Sequence, residues 1–407
     1  MTEGKPIFGM ENMRSMKAVQ LLALLGLVVI PALYFMGAIS IETVNMLGRY
    51  MTYAIVAVGL DLLWGYVGIL SLCQATFFCL GSYAMGMYLA HHGGPEGIVD
   101  ANGWKLPACL YVVYPYEVGE APGDALVPWF WKPFWNLPLT IMLGLVIPAV
   151  AAFALGFFVF RSRVKGVYFA ILSQAIAVAG WLVFCRNDVK LCGTNGLTRF
   201  DKIAGSESIF TFSPSNSGSY ASDAGFSLAE PNVQLALYLV TVAALFASYF
   251  LCRWIVRSRL GCVLVAIRDD ESTLRFFGYR PYVYKLFAFC VAAALAGLAG
   301  MLYAPQMKIT TPADMEAVKS VLIVVWVAVG GRGTLSGAIL GALTVNLLYN
   351  YFTSEHDFFF FTWKANYWQF ILGGLFIAVV LFLPQGLMSL REKLPYLRSA
   401  RKPREQA

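Results

Sequence analysis

The chain has 407 residues, of which 59% are hydrophobic and only 13% charged, and its mean hydropathy is +0.66. A soluble globular domain carries roughly 25% charged residues, so the composition excludes a soluble enzyme or binding domain and indicates a polytopic membrane protein. The formal net charge of +7 fits a basic membrane-surface face, and the sequence contains nothing resembling a nucleic-acid-reading module.

In chain order, a tail (1–17) with Lys5, Arg14 and Lys17 precedes an apolar run at 18–38. That run is too long for a signal-peptide core and reads as a retained first span. Further spans are expected at 48–66, 71–91, 138–160, 166–185, 232–256 and 285–304. The apolar stretch 318–352 is interrupted at Gly330-Gly331-Arg332-Gly333 and divides into two spans or a re-entrant pair. A last span is expected at 366–385. The expected fold is all-α, a single transmembrane helical bundle of about ten spans occupying 1–407. Two long loops, 91–137 and 186–231, join the spans on one side. A charged segment, 257–284, and a basic tail, 386–407, lie on the other.

Charge gives the sidedness. The basic stretches are the N-terminal tail, the turn with Arg161, Arg163 and Lys165, the segment after Arg253, and the C-terminal tail. An even number of spans places all four on one face, which the positive-inside bias assigns to the cytoplasm. Eight cysteines are scattered without metal-ligand spacing, and most read as small core residues. Cys185 and Cys192 flank an outer loop, where a disulfide can form.

Energy must come from elsewhere. No phosphate-cradling G-x-x-x-x-G-K-[ST] loop occurs, and the spans lack the ladders of Asp, Glu and His found in proton-coupled transporters. Residues 253–285 are therefore the most informative segment. Apolar residues at Leu264, Val265, Ile267, Leu274 and Phe277 recur at helical spacing. Glu271 and Arg275 stand i,i+4 and can pair, and Gly278 fits a helix stop. Two readings stand: a solvated connector, or a short helix that docks in a groove of a soluble partner. Its candidate docking residues are Arg268, Asp269, Asp270, Glu271, Arg275, Phe277 and Gly278.

Candidate path residues come from polar groups at membrane depth. Asp61 is either functional or a helix-end acid paired with a cytoplasmic Arg. Gln74 offers amide groups to a polar neutral solute, or holds two helices together. Thr194 and Asn195, in a Gly-rich turn, line the mouth of the path or form a plain turn. His91 and His92 read as interfacial residues. No metal ligands and no catalytic residues are expected.

Several stretches resemble permease subunits of branched-chain amino acid ABC importers of the M type. They are Gly65-Tyr66-Val67-Gly68-Ile69-Leu70-Ser71-Leu72, the segment from Arg268 to Gly278, Tyr284-Lys285-Leu286-Phe287-Ala288-Phe289, Leu295 to Tyr303, and Gly330-Gly331-Arg332-Gly333-Thr334-Leu335-Ser336-Gly337. Leu72-Cys73-Gln74-Ala75-Thr76-Phe77-Phe78, Phe160 to Phe169, Cys185-Arg186-Asn187-Asp188 and Val325-Trp326-Val327-Ala328 are closer to the urea branch of that family. Amino-acid permeases usually carry Gly-His where Cys73-Gln74 stands here. The chain departs from the pattern at Ser272-Thr273 and at Cys192.

The resemblance implies a non-enzymatic permease in the bacterial inner membrane, with both termini cytoplasmic. Its implied partners are a second homologous permease, two cytoplasmic ABC ATPases that bind the ATP, and a periplasmic substrate-binding protein. No cofactor belongs to this chain. The expected cargo is urea or a short amide. The alternatives are a branched-chain amino acid, favoured by an apolar path with charge partners, and, more distantly, a passive channel or secondary transporter.

Overall fold

The computed structural model describes residues 22–92, 110, 127–162, 166–198, 200, 202–203, 226–353, 356–358, 361–363 and 373–374. The expected span 366–385, apart from two residues, both tails and most of the two long loops lie outside the described residues.

Among the described residues, eleven helices follow in chain order, besides short 3-10 turns: α1 (Leu22–Phe35), α2 (Ile41–Val67), α3 (Gln74–His92), α4 (Leu137–Arg161), α5 (Gly166–Phe184), α6 (Pro231–Arg257), α7 (Arg259–Asp269), α8 (Glu271–Phe276), α9 (Pro281–Met307), α10 (Ala317–Gly330) and α11 (Leu335–Thr353). Two small antiparallel ribbons accompany them: β1 (Lys202–Ile203) pairs with β2 (Phe226–Ser227), and β3 (His356–Phe358) with β4 (Phe361–Trp363). Among the described residues, five helices, α2, α4, α6, α9 and α11, are long and apolar enough to cross a membrane.

Local chemistry sets the boundaries. Ser40 accepts the Thr43 N–H and caps α2, with Glu42 in the first turn, where an acid suits the positive end of the helix dipole. α2 therefore begins at Ile41, earlier than its apolar run alone suggests. Asn136 caps α4 through the Leu139 N–H at 3.1 Å. Pro231 and Pro281 occupy first-turn positions of α6 and α9, where a missing N–H costs nothing. The third span starts at Gln74, because residues 68–73 cross over without helix.

α9 is the central element. It packs along α3, α4 and α2, while α6 and α11 lie against α2. The α3–α9 crossing is backbone against backbone. A Cβ on Gly81 would strike the Gly297 carbonyl, and one on Gly300 would strike the Phe78 carbonyl. In an apolar solvent such close approach supplies the packing that water would otherwise drive. A second cluster closes the bundle at the end away from α7 and α8. It joins Tyr83, Tyr88, Trp131, Phe134, Leu197, Phe200 and Met315.

The stretch 318–352 does divide. α10 and α11 form a hairpin around Gly331 (φ 121°) and Gly333 (φ 79°). α10 has 14 residues and is roughly 21 Å long, short of the ~30 Å hydrocarbon core. The tip of the hairpin nonetheless meets the last turn of α2 near Gly65. The helical spacing from Leu264 to Phe277 is carried by two helices, α7 and α8, rather than by one short helix, and Gly278 follows the second. Asp270 leaves helical geometry (φ −153°, ψ 103°), and its carboxylate accepts the Ser272 N–H at 2.9 Å. Asp in this role starts a new helix rather than continuing the old one. No disulfide joins Cys185 and Cys192.

Candidate coupling and solute sites

The loop between α6 and α9 presents a built surface. α8 ends in a Schellman pattern: Tyr279 N–H bonds the Leu274 carbonyl at 3.2 Å and Gly278 N–H the Arg275 carbonyl at 3.0 Å. Gly278 takes φ +83°, a backbone state that glycine adopts at no steric cost. Glu271 pairs with Arg275 one turn on, and with Lys285 of α9 at 2.6 Å. Burial alone would raise the Glu271 carboxyl, but the two cations outweigh it and hold it below the usual range. Hydrogen bonds from the Ser272 and Thr273 hydroxyls and the Ser272 N–H hold Asp270 at about 2. This pinned turn leaves Phe276 90%, Phe277 70% and Tyr279 46% exposed. Phe276 and Phe277 so displayed are not packing residues of the described bundle, whereas Tyr279 also leans on the Tyr284 ring of α9.

The opposite face of the loop is tied to the bundle. The last turn of α2, Leu62–Val67, is π-helical and ends at Gly68, φ 82°. The carbonyls of Trp64 and Gly65 are left without helical partners there. Arg268 of α7 donates to the Gly65 carbonyl at 2.8 Å. Arg332, from the α10–α11 turn, donates to the Trp64 carbonyl at 3.0 Å and lies 5.0 Å over the Trp64 ring. Asp61, fully buried, accepts the Gly333 N–H at 2.7 Å. Three segments far apart in sequence thus meet at one helix end, where cations suit the negative pole of the dipole.

Away from this end, α2, α9, α10 and α11 line a half-open cavity of about 430 Å³. Its lining includes Arg49, Tyr53, Tyr303, Lys319, Trp326 and Asn346. Tyr53 lies 5.6 Å from Tyr303 and 5.0 Å from Trp326, centroid to centroid. Behind these rings a void of about 20 Å³ is lined by Val56, Ala75 and Phe78 among others. The aromatic cluster therefore stands between the cavity and the start of α3. Lys319 pairs with Asp314 at 3.7 Å.

The residues singled out in sequence do not form one site. Asp61 and Arg268 join at the α2 end, with Asp269 3.2 Å from Arg268. Arg275, Phe277 and Gly278 lie at the loop tip. Gln74 opens α3, is 1% exposed, and neither amide atom has a hydrogen-bond partner. It does not line the large cavity. Thr194 and Asn195 are exposed, in a short 3-10 turn whose neighbour Leu197 bonds Thr310. His91 and His92 bond the carbonyls of Trp131 and Trp135 at 3.3 and 2.9 Å. No group of residues able to hold a metal occurs among the described residues. Sequence reasoning missed Arg49, Tyr53, Lys319 and Asn346. Arg49 carried a usable signal, a lone cation within an apolar span.

The model of the family described as "Branched-chain amino acid transport system / permease component" matches residues 42–380. The chain is 28% identical over 397 residues to the high-affinity branched-chain amino acid transport system permease protein LivM of Salmonella typhimurium, covering 95% of this chain and 79% of that protein. It is 27% identical over 391 residues to LivM of Escherichia coli, covering 95% and 78%. The permease protein LivH of Escherichia coli is 22% identical over 342 residues, covering 83% and 91%. No solved structure matches.

Proposed function

The chain belongs to the branched-chain amino acid transport system permease family, and from that premise we propose that it forms one half of the membrane path of an ATP-driven importer. A second permease of the same family completes the path. Cytoplasmic ATPases dock on α7 and α8, and a soluble binding protein delivers the solute at the opposite face. The bilayer is the bacterial inner membrane, and the α7 end faces the cytoplasm. The observation that carries this reading is the two-sided loop. Phe276, Phe277 and Tyr279 project from it, while Arg268 fixes its other face to α2. A partner that grips the aromatics can then move the end of α2 and the hairpin tip together.

For the cargo, the branched-chain aliphatic amino acids are favoured over urea. The two M-type relatives are named for branched-chain amino acid transport. The cavity is large, ring-walled and charged, whereas a urea path would be narrow and uncharged. Gln74, the residue that favoured urea, stands outside that cavity.

The test is Phe276→Ala and Phe277→Ala in the full complex. Loss of a buried aromatic anchor at a docking contact costs about 2–4 kcal/mol. Each variant inserts normally, because neither ring packs in the bundle, but recovers less ATPase and transports less. Normal ATPase recovery and uptake by the double variant would refute docking here.

A further inference from the structure

We propose that the cavity between α2, α9, α10 and α11 is the solute site of this subunit, and that Arg49 receives the carboxylate of an apolar α-amino acid there. This rests on the importer reading and adds the group that recognises the solute.

Arg49 lies about 12 Å along α2 from Ile41, at the rise of 1.5 Å per residue. Its Nε is shielded from solvent and has no partner. Its hydrogen bond is made by Nη1 to the Met307 thioether sulfur at 3.2 Å, a weak acceptor. Among the described residues no carboxylate pairs with it. A guanidinium at membrane depth without a counter-ion is expensive. Its planar fork matches a carboxylate in two parallel bonds. The other cation of the cavity, Lys319, already has Asp314 at 3.7 Å, so the uncompensated charge belongs to Arg49. Val318 and Lys319 also bring the N-terminus of α10 to the cavity, and that end of a helix favours an anion.

The rest of the wall suits the other parts of such a solute. Tyr53, Tyr303 and Trp326 offer ring faces to an ammonium group. Asn346 spends its amide N–H on the Ala342 carbonyl at 2.7 Å, which leaves its own carbonyl oxygen as an acceptor. Met46 and Leu322 supply aliphatic surface. A cavity of 430 Å³ holds about fourteen waters at ~30 Å³ each. Urea would leave most of that space wet and gives Arg49 no anion. A leucine-sized solute has a carboxylate for Arg49, an ammonium for the rings and an aliphatic end for Met46 and Leu322.

The experiment uses the complete importer in lipid nanodiscs and proteoliposomes. Thermal unfolding is followed with millimolar leucine, leucinamide or urea, in neutral and in anionic lipid, and uptake is measured in parallel. Leucine is expected to raise the melting temperature of the wild-type complex in both lipids, and leucinamide and urea not to. Arg49→Gln abolishes the shift and lowers leucine uptake at least tenfold at unchanged complex yield; Arg49→Lys restores part of both. Uptake by Arg49→Gln within twofold of wild type overturns the proposal. An equal shift with leucinamide overturns it without any variant, which keeps it testable should Arg49→Gln fail to assemble. A variant effect seen only as lost dependence on anionic lipid assigns Arg49 to a headgroup and also overturns it. Wild-type uptake of urea but not leucine would instead refute the proposed cargo.

Discussion

Arg268→Ala removes the strut between the docking loop and the transmembrane path. The guanidinium gives the Gly65 carbonyl its 2.8 Å hydrogen bond, and a bond from a charged donor contributes roughly 1.5–3 kcal/mol. The side-chain stem also lies against Gly68, where an added Cβ would stand 2.8 Å from Arg268 Cγ. Partial loss of that packing adds up to about 0.8 kcal/mol, the value of one buried methylene. The side chain is 33% exposed, which keeps the sum away from the top of that range, at about 2–3 kcal/mol. That weakens the attachment of α7 to α2 roughly 30- to 150-fold, at 1.4 kcal/mol per decade. In proteoliposomes containing the whole importer, uptake per ATP hydrolysed should fall by at least tenfold while hydrolysis continues. Arg268→Lys, with a point charge in place of a fork, should recover part of the coupling. Uptake per ATP within twofold of wild type for Arg268→Ala would show that motion passes to the path by another route.

Three other outcomes are expected. Gly300→Val places a branched side chain against the Phe78 carbonyl and Ser82 nitrogen; two rigid backbones cannot yield, so the cost exceeds the ~1–3 kcal/mol of ordinary overpacking and folded protein is lost in size-exclusion profiles. The Asp270 carboxyl is held at about 2 against an ordinary 3.8, so its cap on α8 is fully present above about pH 4 and lost as pH falls toward 2; amide exchange at Ser272 should accelerate over that interval, and Asp270→Asn should flatten the profile. Gln74→Leu removes a buried amide with no bonding partner, a change that is nearly neutral or stabilising for folding; complex yield should be full, and unchanged uptake would remove Gln74 from the path.

Much of the architecture follows from the sequence through short-range physics. Long apolar runs, the Gly331–Gly333 break, the Glu271–Arg275 pair and the Gly278 stop each act within a few residues. They were therefore readable without a fold. The two-helix loop was misread because capping by Asp270 competes with helix continuation, and apolar spacing alone does not register that competition. What the tertiary structure alone decided is which apolar face meets protein. α2, among the less apolar of the five long helices, is the most enclosed, while strongly apolar α4 is mostly open. In a bilayer the lipid-facing side is as apolar as the core, so periodicity cannot separate them. The meetings of Arg268 with Gly65 and of Asp61 with Gly333, 203 and 272 residues apart, depend on that choice of face. So does the isolation of Arg49 in a ring-walled cavity. Each is fixed by how the helices rotate and cross, which no local pattern in the chain encodes.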